Sequence, residues 1–301
     1  LYTSTNTVLL WIFSPWHPTF SFKFSPLRKL LPFSSKQLFT SLFTHINNNI
    51  FSALLGRFYT IQEAAYYSQG SKWTTMGYST IFGMINSVGQ PVFKEASGDV
   101  QRLQNIFRKL LRFTAFVSFP AMLGLAIISR ELIVLTITAK WLPCVPIMQI
   151  LCVWGAFMPI STLYSNLMNS IGRPNIYMWN TITLGAFQLL CVWFSYPYGL
   201  NVMLIVYTSI NILWLLVWQY FAHKHIGISL LHILWDISPY VILSAVTMSF
   251  TYWVGSHIEN NYISLPVKVI LAASLYIFFM WSLRSTVFRE SLQYLLKKKN
   301  L

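Results

Sequence analysis

Acidic residues are nearly missing from this sequence. Seven Asp and Glu stand against 21 Lys and Arg in 301 residues, and charged residues of both signs make up only 9%. Soluble domains usually carry about 25% charged residues. A chain this poor in charge, 55% hydrophobic and 17% aromatic, has too little polar surface to cover a water-facing fold. Mean hydropathy is +0.54. Composition therefore predicts a polytopic membrane protein.

Other absences narrow the chemistry. The three cysteines, Cys144, Cys152 and Cys191, have no C-x-x-C spacing and sit in apolar surroundings, so they read as small buried hydrophobes rather than a disulfide or metal framework. There is no nucleophile elbow, no phosphate-cradling glycine loop and no His/Cys/carboxylate cluster at metal spacing. His223, His225 and His232 fall close together without a Cys or carboxylate at ligand spacing, and read as a solvated trio. No enzyme, metal or cofactor is expected. The net charge of +14 does not imply nucleic acid, because the bases are confined to gaps between apolar runs instead of clustering with exposed aromatics. An initiator Met is also lacking, and Leu1–Phe13 looks like the tail of a hydrophobic helix, not a signal peptide. The expectation is a chain that begins inside a longer protein.

What is present is a series of apolar runs. A spanning helix needs about 20 mainly apolar residues. After the stub 1–13 and a Pro-broken basic loop over 14–32, spans are predicted at 33–55, 73–93, 113–129, 145–168, 176–196, 200–221, 237–255 and 263–283, with a basic tail over 284–301. The fold class expected is all-α, about eight transmembrane helices within 33–283 plus the truncated stub. If successive gaps alternate sides, all but five of the 21 bases fall on one side; the five are Arg57, Lys72, Arg130, Lys140 and Lys268. The positive-inside rule makes the richer side cytoplasmic, with the C-terminus on it.

The segment from Pro91 to Leu125 is the most basic of the interior connections. Val100, Leu103, Ile106, Phe107, Leu110 and Leu111 fall at helical spacing, with Arg102, Arg108, Lys109 and Arg112 on or beside the other face and Asp99 placed as N-cap. The helix runs without a break into an uncharged stretch. Its bases are read as orienting the protein.

A polar stripe marks the first span. Gln37, Ser41, His45, Asn48 and Ser52 step by three or four residues and share one helix face. The second span carries a weaker stripe, Thr75, Ser79, Asn86 and Gln90. Polar side chains at bilayer depth are costly against lipid, so such stripes face a bundle interior or a wet cavity. Lys36 lies beside the first stripe, and Arg57 and Lys72 at its outer mouth. The candidate binding residues are therefore Lys36, Gln37, Ser41, His45, Asn48, Ser52, Arg57, Lys72, Asn86 and Gln90. By contrast 113–129 and 200–221 read as mostly apolar, suited to lipid-facing or packing positions. Pro120, Pro159 and Pro239 lie within spans and predict kinks. Glu63, Glu131 and Glu259 fall outside spans or at their ends, and Asp236 at a helix start. A base-rich, acid-poor interior favours a phosphate-bearing anion over a cation.

The order of motifs resembles a known family. The stretch SFKFSPLRKLLPFSSKQLFTSLFTHINNNIFSALLGRFYTIQEAAYYSQG is similar to the loop and seventh helix of Wzx-type polysaccharide flippases, the lipopolysaccharide and O-antigen exporters of bacteria. QPVFKEASGDVQRLQNIFRKLLRFTAFVSFPAMLGL and the following KWLPCVPIMQIL resemble the family's next helices, and IGRPNIYMW a later loop. Ala64-Ala65 and Ser34-Ser35 depart from its usual residues. The resemblance implies the second lobe of a fourteen-helix fold of the multidrug/oligosaccharidyl-lipid/polysaccharide exporter type. It implies alternating access and, as partners, a polyprenyl-diphosphate-linked oligosaccharide, membrane lipids and polysaccharide polymerase machinery, with no nucleic acid, in the bacterial inner membrane. Two other readings stay open: a cation or drug exporter of the same fold, and a non-transporting scaffold of a polysaccharide assembly complex.

Overall fold

The structure is a computed structural model that describes residues 2–13, 31, 34–35, 38–43, 54–258, 260–283 and 287–290. Among these the chain is helical throughout, without strands. In order come α1 (Tyr2–Phe13), α2 (Ile61–Glu95), α3 (Val100–Ile127), α4 (Ser129–Ile137), α5 (Cys144–Ser170), α6 (Pro174–Ser195), α7 (Leu200–Leu213), α8 (Leu215–Ile226), α9 (Leu230–Gly255) and α10 (Asn261–Ser282). Among the described residues six segments are long and apolar enough to cross a membrane: α3, α5, α6 with the turn after it, α7 with α8, α9 and α10. The chain is a multi-pass membrane protein.

Local chemistry sets the ends of these helices. Thr60 caps α2: its hydroxyl accepts from the Glu63 N–H at 3.2 Å, and the Glu63 carboxylate accepts from the Thr60 N–H at 2.9 Å. This reciprocal box satisfies two of the donors that a helix start leaves open. Asp99 caps α3, its carboxylate accepting from the N–H groups of Gln101 and Arg102 at 2.9 and 3.1 Å. The basic amphipathic segment and the apolar run after it form one helix, α3, of 28 residues. Gly199 and Gly227, at φ +92° and +72°, make the sharp turns before α7 and after α8 that a side chain would strain. His223, Lys224 and His225 occupy the last turn of α8, where cations favour the negative helix end. The ring nitrogens of His223 and His225 lie 3.1 and 3.0 Å from the carbonyls of Ile228 and Phe221, and that of His232 lies 2.7 Å from the Ser229 hydroxyl.

Helices α2, α3 and α5 form the centre. The buried face of α3, with Leu103, Phe107, Leu111, Ala115, Phe119 and Met122, packs between its neighbours. Phe107 stacks obliquely on Phe93 of α2 and Tyr164 of α5, ring centroids 6.0 and 5.1 Å apart. Cys144 and Cys152 are buried thiols of α5.

Small residues let α2 and α5 come close, as is common where lipid supplies no hydrophobic drive between helices. A β-carbon on Gly70 would lie 3.2 Å from the Met148 nitrogen and 3.4 Å from the Cys144 carbonyl oxygen, both backbone atoms that cannot swing away. Gly70→Val is therefore expected to force the helices apart and cost about 1–3 kcal/mol, measured as a lowered thermal midpoint of the detergent-purified protein. An unchanged midpoint would show that α2 can shift freely on α5.

Pro120, Pro159 and Pro239 lie inside α3, α5 and α9, and a proline cannot donate to the carbonyl four positions back. For Pro120 in α3 that acceptor is the Phe116 carbonyl. The hydroxyl of Tyr276, on α10, donates to it at 2.9 Å. A neighbouring helix replaces the missing donor, which is how proline is tolerated at bilayer depth.

Two ion pairs fasten the last helices to α3 and α4. Asp236 of α9 takes a fork from Arg108 of α3, Nε to Oδ2 at 2.6 Å and Nη2 to Oδ1 at 3.0 Å, with the Arg112 Nε 3.9 Å away. Glu131 of α4 is paired with Lys268 of α10 through Oε1, which also accepts from the Ser264 hydroxyl at 2.9 Å. Glu131 lies just past the end of α3, the position read from the sequence, but it is buried, at 4% exposure. Arg108 and Arg112, read as topology determinants, are also structural partners of Asp236.

Candidate functional site

A cleft of about 510 Å³ opens between α2, α5, α6 and the α7–α8 segment. Each wall comes from one helical stripe. On α2, Tyr78, Phe82, Asn86 and Gln90 recur every four residues; on α5, Trp154, Met158, Ser161, Thr162, Ser165, Asn166 and Asn169 keep to one face. Tyr177, Thr181, Gly185 and Gln188 do the same on α6, and Tyr207, Asn211, Trp218 and, from the segment before α2, Phe43 also line it. Its described lining contains amides, hydroxyls and aromatic rings, and no charged side chain.

Two amide chains brace opposite walls. Asn166, only 2% exposed, donates from Nδ2 to the Asn86 carboxamide oxygen at 3.1 Å and accepts from the Gln90 Nε2 at 3.2 Å. Gly89 makes room for it: a β-carbon there would stand 3.1 Å from the Asn166 Nδ2. Across the cleft, Gln188 donates to the Asn211 Oδ1 at 2.9 Å, and Asn211 donates to the Tyr207 carbonyl at 2.7 Å. Pairing holds each buried amide in one orientation and offsets the cost of desolvating it. The Oδ1 of Asn169 differs: it is buried and has no hydrogen-bond partner among the described residues.

The cleft continues past Asn86, Gln90 and Asn169 into a second hollow of about 680 Å³, lined also by Ser87, Pro91, Lys94, Ser170 and Gly172. Lys94 extends the α2 stripe by one more step of four and is the single charged group in this lining. It is exposed and makes no ion pair with any described residue, since neighbouring Glu95 pairs with Arg102 at 2.7 Å. Arg173, also exposed, follows Gly172 in the chain.

Of the residues singled out from the sequence, Asn86 and Gln90 line this cleft. Thr75 and Ser79, placed on the same stripe, are exposed and do not, because a stripe at steps of four from Asn86 passes through Phe82 and Tyr78 instead. Arg57, Lys72 and Ser41 are exposed and line neither hollow. Lys36, Gln37, His45, Asn48 and Ser52 lie outside the described residues. The segment 200–221, read as lipid-facing or packing, contributes Tyr207 and Asn211 to the lining, which corrects that reading. The stripe on α5 was missed altogether. Its signal was in the spacing of Ser161, Thr162, Ser165, Asn166 and Asn169, hidden by the high average hydropathy of the span.

A separate, apolar groove of about 480 Å³ runs between α3, α9 and α10, lined by residues such as Phe116, Pro120, Met248, Ala272 and Tyr276, with Lys268 at one end.

Comparison with known proteins agrees with this architecture. Residues 1–146 match the family model described as polysaccharide biosynthesis protein. The chain is 25% identical over 192 residues to the teichuronic acid biosynthesis protein TuaB of Bacillus subtilis (strain 168), covering 63% of this chain and 40% of TuaB. It is 30% identical over 154 residues to an uncharacterized membrane protein in the cps region of Klebsiella pneumoniae, covering 51% of this chain and 32% of that protein. With the lipopolysaccharide biosynthesis protein WzxC of Escherichia coli (strain K12) it shares 25% identity over 161 residues, 54% of this chain and 33% of WzxC. The matched regions thus span 32% to 40% of the length of these curated relatives. The fold is similar to that of the lipid II flippase MurJ in its inward closed conformation, with a TM-score of 0.60 over 92% of this chain and 59% of that one, at 16% identity. By sequence over residues 1–146 the chain is similar to polysaccharide biosynthesis proteins, and by fold over most of its length it is similar to MurJ.

Proposed function

We propose that this chain forms one lobe of a flippase that carries a polyprenyl-diphosphate-linked oligosaccharide across the bacterial inner membrane. The observation that carries the reading is the cleft: hydrogen-bonding side chains from several membrane-length helices converge on one hollow, where lipid would penalise them. The fold shared with a lipid II flippase and the names of the curated relatives support the same reading. In this mechanism the cleft opens to the cytoplasm, takes up the headgroup, and reopens outward as two rigid lobes rock about it, while the lipid tail stays in the bilayer. By the distribution of bases, the Lys94 end and the C-terminus face the cytoplasm.

The cation-exporter reading draws no support from the acids. Asp236 and Glu131, the buried carboxylates among the described residues, are each held by a base, and neither lines the cleft.

In cells carrying the full-length gene, Asn166→Leu combined with Gln188→Leu is expected to cut surface polysaccharide by about tenfold or more. Lipid-linked repeat units should then accumulate on the cytoplasmic leaflet. Deletion of the gene should do the same completely. Undiminished surface polysaccharide in the deletion strain would reject the function; undiminished polysaccharide in the double variant alone would reject the site.

A further inference from the structure

One span of the chain is interrupted in its middle. The apolar stretch Leu200–Ile226 is long enough to cross a membrane, yet it forms two helices, α7 and α8, that meet at Trp214. It contains no proline and no glycine, the residues that most often kink a helix. The Trp214 N–H still donates to the Ile210 carbonyl at 2.8 Å, but the Val217 N–H donates to the Trp214 carbonyl, three residues back, at 3.0 Å. A three-residue step inside a helix often marks a hinge. Just before the break, the Asn211 side chain donates to the Tyr207 carbonyl at 2.7 Å, competing with its own backbone N–H for that acceptor.

The two halves are anchored in different places. Leu200, Met203 and Leu204 of α7 are buried in a small apolar cluster with Ile147 and Leu151 of α5. Trp218, Ala222 and Ile226 of α8 are buried in the large cluster that runs through α2, α3 and α5. Gln219, beside Trp218, is fixed twice, accepting from the Tyr164 hydroxyl and donating to the Ile228 carbonyl, both at 2.8 Å. The break thus falls at the border between the two clusters. Space adjoins it on two sides: Tyr207, Asn211 and Trp218 face the cleft, whereas Ile212, Leu213, Leu215 and Leu216 line an apolar hollow of about 370 Å³ against α5 and α9. The Trp214 indole N–H at the break and the Thr208 hydroxyl within two turns of it are buried without a hydrogen-bond partner among the described residues. Polar groups left open in one arrangement are those that a second arrangement can satisfy.

We propose that Trp214 is a hinge on which α7 swings against a fixed α8, moving the wall of the cleft that Tyr207 and Asn211 form. This hinge presupposes the flippase reading above and adds to it the place where this chain bends as the cleft changes the side to which it opens. The α7 half is the mover because it gives up the smaller apolar cluster, and opening follows the lower local stability. Gln188 of α6 donates to the Asn211 Oδ1 at 2.9 Å, so α6 travels with α7. The turn Tyr196–Tyr198 and Gly199 join these two helices. By the distribution of bases that turn is extracytoplasmic, so the swing widens or narrows the cleft toward the outer face.

The test uses the full-length protein in lipid nanodiscs, its native cysteines replaced by alanine and spin labels attached to introduced cysteines, with distances read by pulsed electron paramagnetic resonance. Val202→Cys with Trp253→Cys measures α7 against α9; Tyr220→Cys with Trp235→Cys measures α8 against α9 as the reference. All four side chains are exposed, so the labels do not enter the packing. The first pair is expected to give two separated distances, or one distribution about twofold broader than that of the reference pair. Trp214→Ala places the best helix former at the break. It should shift the populations of the two arrangements by about tenfold toward one of them and leave the reference pair unchanged. A first-pair distribution no broader than the reference overturns the hinge, and so does equal broadening of both pairs. Populations unmoved by Trp214→Ala overturn Trp214 as the pivot. Should that variant fail to run as a monodisperse peak on size exclusion, the two pairs in the otherwise unaltered protein decide. The flippase reading is judged apart, by surface polysaccharide in the deletion strain: a rigid α7 leaves it standing, and a deletion without effect leaves the hinge standing as a motion of other purpose.

Discussion

Replacing Glu131 by alanine is expected to lower the unfolding free energy by about 3–5 kcal/mol, the largest effect of any single substitution considered for this chain. Both partners are shut away from water: Glu131 is 4% exposed and Lys268 5%. Removing the carboxylate strands an ammonium with the Tyr252 ring, 5.6 Å away, as its remaining electrostatic neighbour among the described residues. The pair itself is not a strong net gain, because the Glu131 Oε2 has no hydrogen-bond partner among the described residues and both ions have given up their hydration. The double variant Glu131→Leu, Lys268→Met is therefore expected to fall within about 1 kcal/mol of the parent or to exceed it. Denaturant or thermal unfolding in detergent of the two single variants and the double one closes the cycle. A double variant as unstable as the singles would mean that the ionic contact, not the desolvation, dominates.

The second large effect is expected at Asp236. Asp236→Ala removes the acceptor of the Arg108 fork and leaves Arg112 without its nearby carboxylate. A guanidinium cannot shed its proton to escape a poor environment. The Arg108 side chain is 34% exposed, so water relieves part of the loss, and the expected cost is about 3 kcal/mol, the low end for a broken buried pair. Asp236→Asn keeps one acceptor and should recover about half of it. Because α9 is held to α3 through this contact, the variant should also speed hydrogen exchange of the first turns of α9 more than those of α5. Uniform acceleration of both helices would show that the bridge does not act locally.

Local signals in the sequence specified local structure well. Asp99 was legible as a cap because its chemistry is decided by the two residues after it, and the apolar face of α3 because burial imposes a 3.6-residue period. The cleft was legible only in part. Asn86 and Gln90 could be found on a stripe, but Gln188 and Asn211 sit singly among apolar neighbours, and only the packing of four helices shows that they converge with Asn166. Lys36 and His45 drew attention by charge, yet the described part of the cleft is uncharged. The two ion pairs were illegible for a related reason: their partners lie 128 and 137 residues apart, with no periodic pattern to join them.

The proline within α3 carries a consequence for how the molecule is made. The Phe116 carbonyl, exposed by Pro120, leaves the ribosome 160 residues ahead of the Tyr276 hydroxyl that will satisfy it. Shorter delays, of 128 and 137 residues, separate Arg108 from Asp236 and Glu131 from Lys268. During synthesis α3 therefore enters the bilayer carrying a bare carbonyl and charges whose partners do not yet exist, and some interim partner, water or the insertion machinery, must shelter them. Completion of α10 ends that interval, which makes this helix the clasp that finishes a structure begun at its centre.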